Sequence, residues 1–375
     1  MHSSHRQSGR RLLFALALAA ATLLAAPHSV QADLAYVANF SSSTVSIIDT
    51  ATHQVTMTLP VPGLPSGPVA LAVAPNGAAV YVARSARPKG AVSILDTTTN
   101  QFGATVAVGD EPFALAVSPD GGKVYAANFS SGSVSVIDTA DFKDVAAITP
   151  GTGPAGIVLT DKGDRAYVTL FQSNSVAVID TAQKSTIRTI SVGKGPVGIL
   201  AAGDRLYVAN SGDNTLSIVD PAAGKVTGTV AVGAAPVQIA ASADGAKLYV
   251  AQQAANSVAV VDTATRQVAA NIPVGTAPFG LALADAGRFL YVANRGADSV
   301  SVVDTATNAV VSTASVGAAP FAVAVTRGSS FPASDCHCAI AGGKAQGRAP
   351  LLVLLPPLLL WGAGRRRRAR RGSEA

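Results

Sequence analysis

Histidine and glutamate are almost missing from the body of this chain. Between residues 33 and 327 there is one of each, His53 and Glu111, and no cysteine at all. That scarcity argues against a Ser-His-Asp relay, a His-rich metal centre and an axial haem ligand supplied by histidine. No Cys-x-x-Cys-His run is present for covalent haem. Without cysteine the body uses no disulfide, although an exported compartment would permit one. A positive field is lacking too. The whole chain carries a formal +6, yet residues 33–327 hold 17 Lys plus Arg against 20 Asp plus Glu. The excess sits at the ends, in Arg6, Arg10 and Arg11 and in the Arg-rich C-terminus. A slightly acidic body offers no electrostatic footprint for a phosphate backbone, so nucleic acid is excluded as a partner.

Long apolar runs are also absent. LLFALALAAATLLAA (12–26) and LLVLLPPLLLWGAG (351–364) are both shorter than the roughly 20 residues a spanning helix needs. The first follows a basic stretch and precedes Val30-Gln31-Ala32, the order of a secretory signal peptide with cleavage after Ala32. Residues 1–32 are therefore expected to be removed on export.

What is present is a repeat. A Tyr-led element recurs at Tyr36, Tyr81, Tyr125, Tyr167, Tyr207, Tyr249 and Tyr291, at spacings of 45, 44, 42, 40, 42 and 42 residues. Each copy continues through a short polar loop, a segment such as SVSVID ending in Asp, a turn such as TATN, a β-branched run, and a Pro-led segment such as PFALAV. Four short runs of Val, Ile, Thr and Tyr bounded by Gly, Pro, Asn and Asp read as four strands per repeat. A period in this range without helical periodicity predicts propeller blades, seven of them, in an all-β fold. The first Tyr strand has no Pro-led strand before it, and the last Pro-led strand, 320–325, has no Tyr strand after it. The C-terminal strand is thus expected to complete the N-terminal blade and close the ring, removing exposed edges.

YVAN, YVTL, SVSVIDTA and VGxxP resemble the YVTN-family β-propeller repeat over about residues 34 to 327. The resemblance implies the fold and says little of function, since members include surface-layer and envelope proteins beside lactonase-like and haem-bearing relatives.

Beyond the propeller, a linker (328–349) carries Cys336-His337-Cys338, and residues 350–375 hold the short apolar segment and the basic run RRRRARR. This arrangement resembles the C-terminal sorting signals of myxobacterial surface proteins. It implies processing near Cys336 and Cys338 and display at the envelope, with the membrane engaged only through the tail. One Cys-x-Cys with one His does not make a structural zinc ligand set, and no metal or other cofactor is expected.

Features present once per blade are assigned to structure. The Asp closing each third strand (Asp49, Asp96, Asp138, Asp180, Asp220, Asp262, Asp304) suits a turn start, and Asn39, Asn128, Asn210 and Asn294 suit a strand exit. Functional residues should be those that break the repeat. Tyr81 to Asp96 spans 15 residues where the other blades span 13, through a loop bearing Arg84, Arg87 and Lys89. The next VGxxP loop carries Asp110 and Glu111, and Phe129 and Phe171 sit on neighbouring loops. These seven side chains form the candidate binding face, because recognition residues concentrate on loops held by a rigid frame. The expectation is a monomeric, non-enzymatic envelope protein that binds a protein or glycan partner, with no catalytic residues. The alternative is a lactonase-like or lyase-like enzyme using Asp110, Glu111 and Arg84.

Overall fold

A computed structural model describes residues 33–63 and 67–326 of the protein. The signal-like segment with Ala32, the linker with Cys336 and Cys338, and the apolar and Arg-rich tail lie outside the described residues. The strands are numbered β1 to β28 in chain order and form seven four-stranded antiparallel sheets, the blades of a propeller.

Blade 1 has the order β28-β1-β2-β3 (Pro320–Thr326, Leu34–Asn39, Thr44–Asp49, Gln54–Pro60). Every other blade is built from four consecutive strands, beginning with β4 (Pro68–Val73) in blade 2 and β8 (Pro112–Val117) in blade 3. β1 pairs with β28 from Leu34↔Thr326 to Val37↔Val323, and the Thr326 hydroxyl bonds the Leu34 amide at 3.2 Å. The closure read from the two ends is therefore the observed one.

Burial explains the strand sequences. The three inner strands of a blade are covered on both faces by adjacent blades, so the second strand reads as a continuous buried run, as in β1 and β25 (Phe289–Asn294). Each outermost strand has one face in solvent, and β23 (Gln267–Pro273) shows the resulting alternation. A register shift recurs near the middle of the third and fourth strands, at Ile47/Ile48 in blade 1 and Val302/Val303 in blade 7. Such bulges add the local twist a blade needs.

The serines of SVSVID are not solvent-facing. Ser46, Ser135, Ser217 and Ser301 are buried, and each accepts a hydrogen bond from the side-chain amide of Asn39, Asn128, Asn210 or Asn294. Each of those amides also donates to the hydroxyl that opens the third strand, as Asn210 does to Thr215 at 3.0 Å. The Asn residues are structural, as expected: each is the last residue of its strand, and its side chain is a buried clamp between strands. The glycine of the VG motif makes room for the clamp: a Cβ on Gly193 would stand 2.6 Å from Asn210 Cγ.

The turn aspartates do what the sequence implies. Asp49 Oδ1 accepts from the amides of Ala51 and Thr52 at 2.8 and 3.0 Å, and the same turn recurs at Asp96, Asp180 and Asp304.

Candidate functional site

The loops after the Tyr strands and the crossovers between blades emerge on one face, around the mouth of the central channel. Backbone bonds tie them together in every blade, as from Phe171 N to Gly153 O at 2.8 Å and from Phe129 N to Glu111 O at 2.9 Å. Over blades 4 to 7 a side chain adds a second latch. Asn174, Asn214, Asn256 and Asp298 accept the amides of Gly195, Ala235, Ala277 and Ala319 at 2.8–2.9 Å. The left-handed residues at the matching place in blades 1 to 3 are Ser43, Lys89 and Gly132. In blade 2 the bond runs the other way, from the Lys89 amide to Asp110 Oδ1 at 2.7 Å.

The candidate residues occupy this irregular side. Arg87 lies 2.6 Å from Glu111 Oε2, and Ser130 Oγ bonds both of them, so three hydrophilic groups from two loops and a crossover meet in one network. Glu111 sits at φ 51°, at a crossover position that is otherwise Gly67, Gly153, Gly195, Ala235, Ala277 or Ala319. It places the one charged side chain at that ring of positions. The hydrogen bond from Arg87, with a second from Ser130, holds its carboxyl below the usual carboxylate range. Arg87 remains well exposed, with 61% of its side chain open to solvent, and is free to meet a ligand.

Arg84 does not join them. It ends β5 (Ala79–Arg84), where other blades place the clamp Asn, and its guanidinium turns to the Gly63 carbonyl. The expected trio of Asp110, Glu111 and Arg84 is thereby corrected: Arg87 stands beside Glu111, and Asp110 is engaged by loop amides. Phe129 and Phe171 pack with centroids 5.9 Å apart.

Those two rings belong to a larger cluster. Phe113, Phe279 and Phe321, each directly after the proline that opens an innermost strand, meet across the channel at centroid distances of 4.1–6.1 Å. Phe113 reaches Phe129 at 6.0 Å, and Arg295 lies over Phe321 at 5.2 Å. The equivalent positions elsewhere are Val69, Ala155, Val197 and Val237. Sequence reasoning missed Ser130 and these three rings; the recurring Pro-Phe pair was the available signal. The cavity they bound has about 60 Å³ of space, with Gln238 the polar side chain of its lining. That is room for a handful of waters, far below a substrate pocket of about 300 to 1,000 Å³. This cavity is too small for a sugar-sized ligand. Among the described residues no group of three His, Cys, Asp or Glu is placed to hold a metal ion.

A family profile described as YNCE-like beta-propeller matches residues 12–329. A comparison with curated protein sequences finds no match. Among solved structures, a hydrazine synthase chain from Kuenenia stuttgartiensis is 22% identical at a TM-score of 0.61, the alignment covering 70% of this chain and 92% of that one. A protein from Bacteroides uniformis, named for a proposed 6-phosphogluconolactonase activity, is 18% identical at 0.67, covering 79% and 100%. A Lactobacillus plantarum protein is 20% identical at 0.67, covering 79% and 99%. These likenesses establish the fold. They also correct the expectation that the protein is not an enzyme: propellers of this architecture bear the names of enzymes, so a body poor in His and Glu gives no ground for excluding catalysis. From the profile match over most of its length, the chain belongs to the YNCE-like β-propeller family.

Proposed function

We propose that the protein is a lactonase-like propeller enzyme that opens a small anionic lactone at the rim between blades 2 and 3. The observation that carries the reading is the Arg87–Glu111–Ser130 network, in which an ionised carboxylate and an exposed guanidinium share one point at 2.6 Å. Glu111 takes a proton from water as the water oxygen attacks the lactone carbonyl, and Arg87 stabilises the oxyanion that develops. Collapse breaks the acyl–oxygen bond, and the ring oxygen receives the proton, giving the open hydroxy acid. A carboxylate with lowered proton affinity is a weak base, which suits an activated ester and not an amide. Arg87 also favours a substrate that carries a phosphate or carboxylate. Export with cleavage after Ala32 and attachment through the segment around Cys336 and Cys338 are part of this proposal, placing the activity at the envelope, where sugar-derived or glycan-derived ligands occur.

The test is hydrolysis of sugar-acid lactones, 6-phosphogluconolactone among them, by the purified protein. Turnover above the spontaneous rate should vanish in Glu111→Gln with the melting curve unchanged. Its loss on acidification in the wild type should fall below the ordinary glutamate value, because Arg87 and Ser130 lower the proton affinity of Glu111. No acceleration with any lactone defeats the proposal.

A further inference from the structure

The single histidine among the described residues lies on the opposite face, at the seam where the ring closes. His53 is in the turn between β2 and β3 of blade 1, and its Nδ1 is 2.7 Å from the hydroxyl of Tyr291, on β25 of blade 7. The Tyr of a blade generally reaches toward the same turn of the next blade, and Tyr291 also points to the Thr50 carbonyl at 3.4 Å. An imidazole is added only here: the residues matching His53 are Asn100, Phe142, Lys184, Gly224, Arg266 and Asn308, all left-handed in φ. The His53 ring stands edge-on to Phe289 at 4.6 Å, and the Arg288 guanidinium lies over Phe289 at 4.7 Å.

We propose that the His53–Tyr291 contact is a pH-sensitive clasp across the seam, closed while the imidazole is neutral and loosened when it is protonated. With the Tyr291 hydroxyl donating, Nδ1 is the unprotonated nitrogen. Adding a proton there makes Nδ1 the donor and turns the hydroxyl's own proton to the Thr50 carbonyl at 3.4 Å, so what opposes the clasp is the cation now placed in the His53–Phe289–Arg288 cluster. The new charge is also partly buried and near Arg288. Burial first, then Arg288, lower the proton affinity of His53, against a smaller opposing pull from Asp49 of its own blade and Asp285 of blade 7. Asp33, before β1, faces the same cluster: it acts on Tyr291 and accepts the Asp285 amide. An imidazole whose pKa is lowered by folding stabilises the folded ring above the ordinary histidine value. That contribution is lost as pH falls through this value toward the lower folded one.

Hydrogen exchange of the full chain, corrected for intrinsic rates, tests this at about pH 7.5 and about pH 5.5, on either side of the ordinary histidine value. Protection of β1 and β28, relative to β17 (Arg205–Asn210), should fall severalfold at the lower pH. In His53→Asn, which keeps a residue found at the same left-handed turn position in blades 2 and 7, the ratio should no longer depend on pH. A constant ratio in the wild type, or an unchanged drop in the variant, overturns the clasp. Should the variant fail to fold, the imidazole resonance of wild-type His53, identified by its proximity to Phe289, must titrate below the ordinary value; a midpoint at or above it is equally contrary.

Discussion

The rim over blades 4 to 7 and the rim over blades 1 to 3 are made from one repeat and are closed differently. On the first, an Asn or Asp from each hairpin loop latches the adjoining crossover, and the latched residue is Gly or Ala. On the second that Asn or Asp latch is replaced by others, such as the Lys89 amide on Asp110 Oδ1, an extended loop replaces a short one, Arg84 stands in a clamp position, and Glu111 projects where a small residue would serve. The contrast separates what the fold requires from what it merely carries. Latches satisfy crossover amides and clamps tie neighbouring strands together, each in four blades; the Arg87–Glu111–Ser130 network occurs once and holds no strand in place.

The most disruptive way to break the comparison is to open the ring on which both halves depend. A chain ending at Gly317 lacks β28, leaving β1 unpaired along one edge, and should aggregate or lose cooperative melting, whereas a chain ending at Arg327 should not. Equal melts would refute the closure. Next in size is the clamp. Asn210→Ala strips the buried Ser217 hydroxyl and the half-buried Thr215 hydroxyl of their donor and should cost about 1–3 kcal/mol in denaturant unfolding. Arg84→Ala, at the matching place on the irregular side, should cost clearly less; similar losses would erase the contrast. Smaller again is a latch. Asn256→Ala removes one loop hydrogen bond, an effect of about 0.5–1.5 kcal/mol, and should speed amide exchange at Ala277 without altering distant blades.

The smallest effect sharpens the comparison by pH. Arg87 and Ser130 depress the Glu111 pKa, so the bridge to Arg87 persists below the ordinary glutamate range and is lost only as pH falls through the lower folded value. The chain contains two glutamates, Glu111 and Glu374, so selective carboxyl labelling gives two resonances to follow. Two titrations at the same ordinary value would show that the network is not formed in solution.

The regular half was almost wholly legible in the sequence. Strand count, blade count, turn aspartates and ring closure follow from spacing and from the unmatched strands at the ends, since period and pairing are properties of the chain itself. Two things were not legible. The burial of the SVSVID serines is one, because alternation cannot report that a neighbouring blade covers the second face. The candidate face was located by its departures from the repeat, yet the partners within it were not. Whether Arg84 or Arg87 meets Glu111 depends on the course of a six-residue loop, and Ser130 carries no mark that distinguishes it from the other loop serines. The aromatic cluster at the mouth was divided among three innermost strands far apart in sequence, so its convergence appears only once the ring is closed.

The central claim is that function resides on the irregular rim and not on the regular one. The direct measurement compares lactone hydrolysis by Glu111→Ala, which installs the residue found at that position in the crossovers after blades 5, 6 and 7, with hydrolysis by Asp298→Ala on the latched side. Loss of turnover in the first with its fold intact, and wild-type turnover per folded molecule in the second, is the predicted result. Full activity in Glu111→Ala would contradict it.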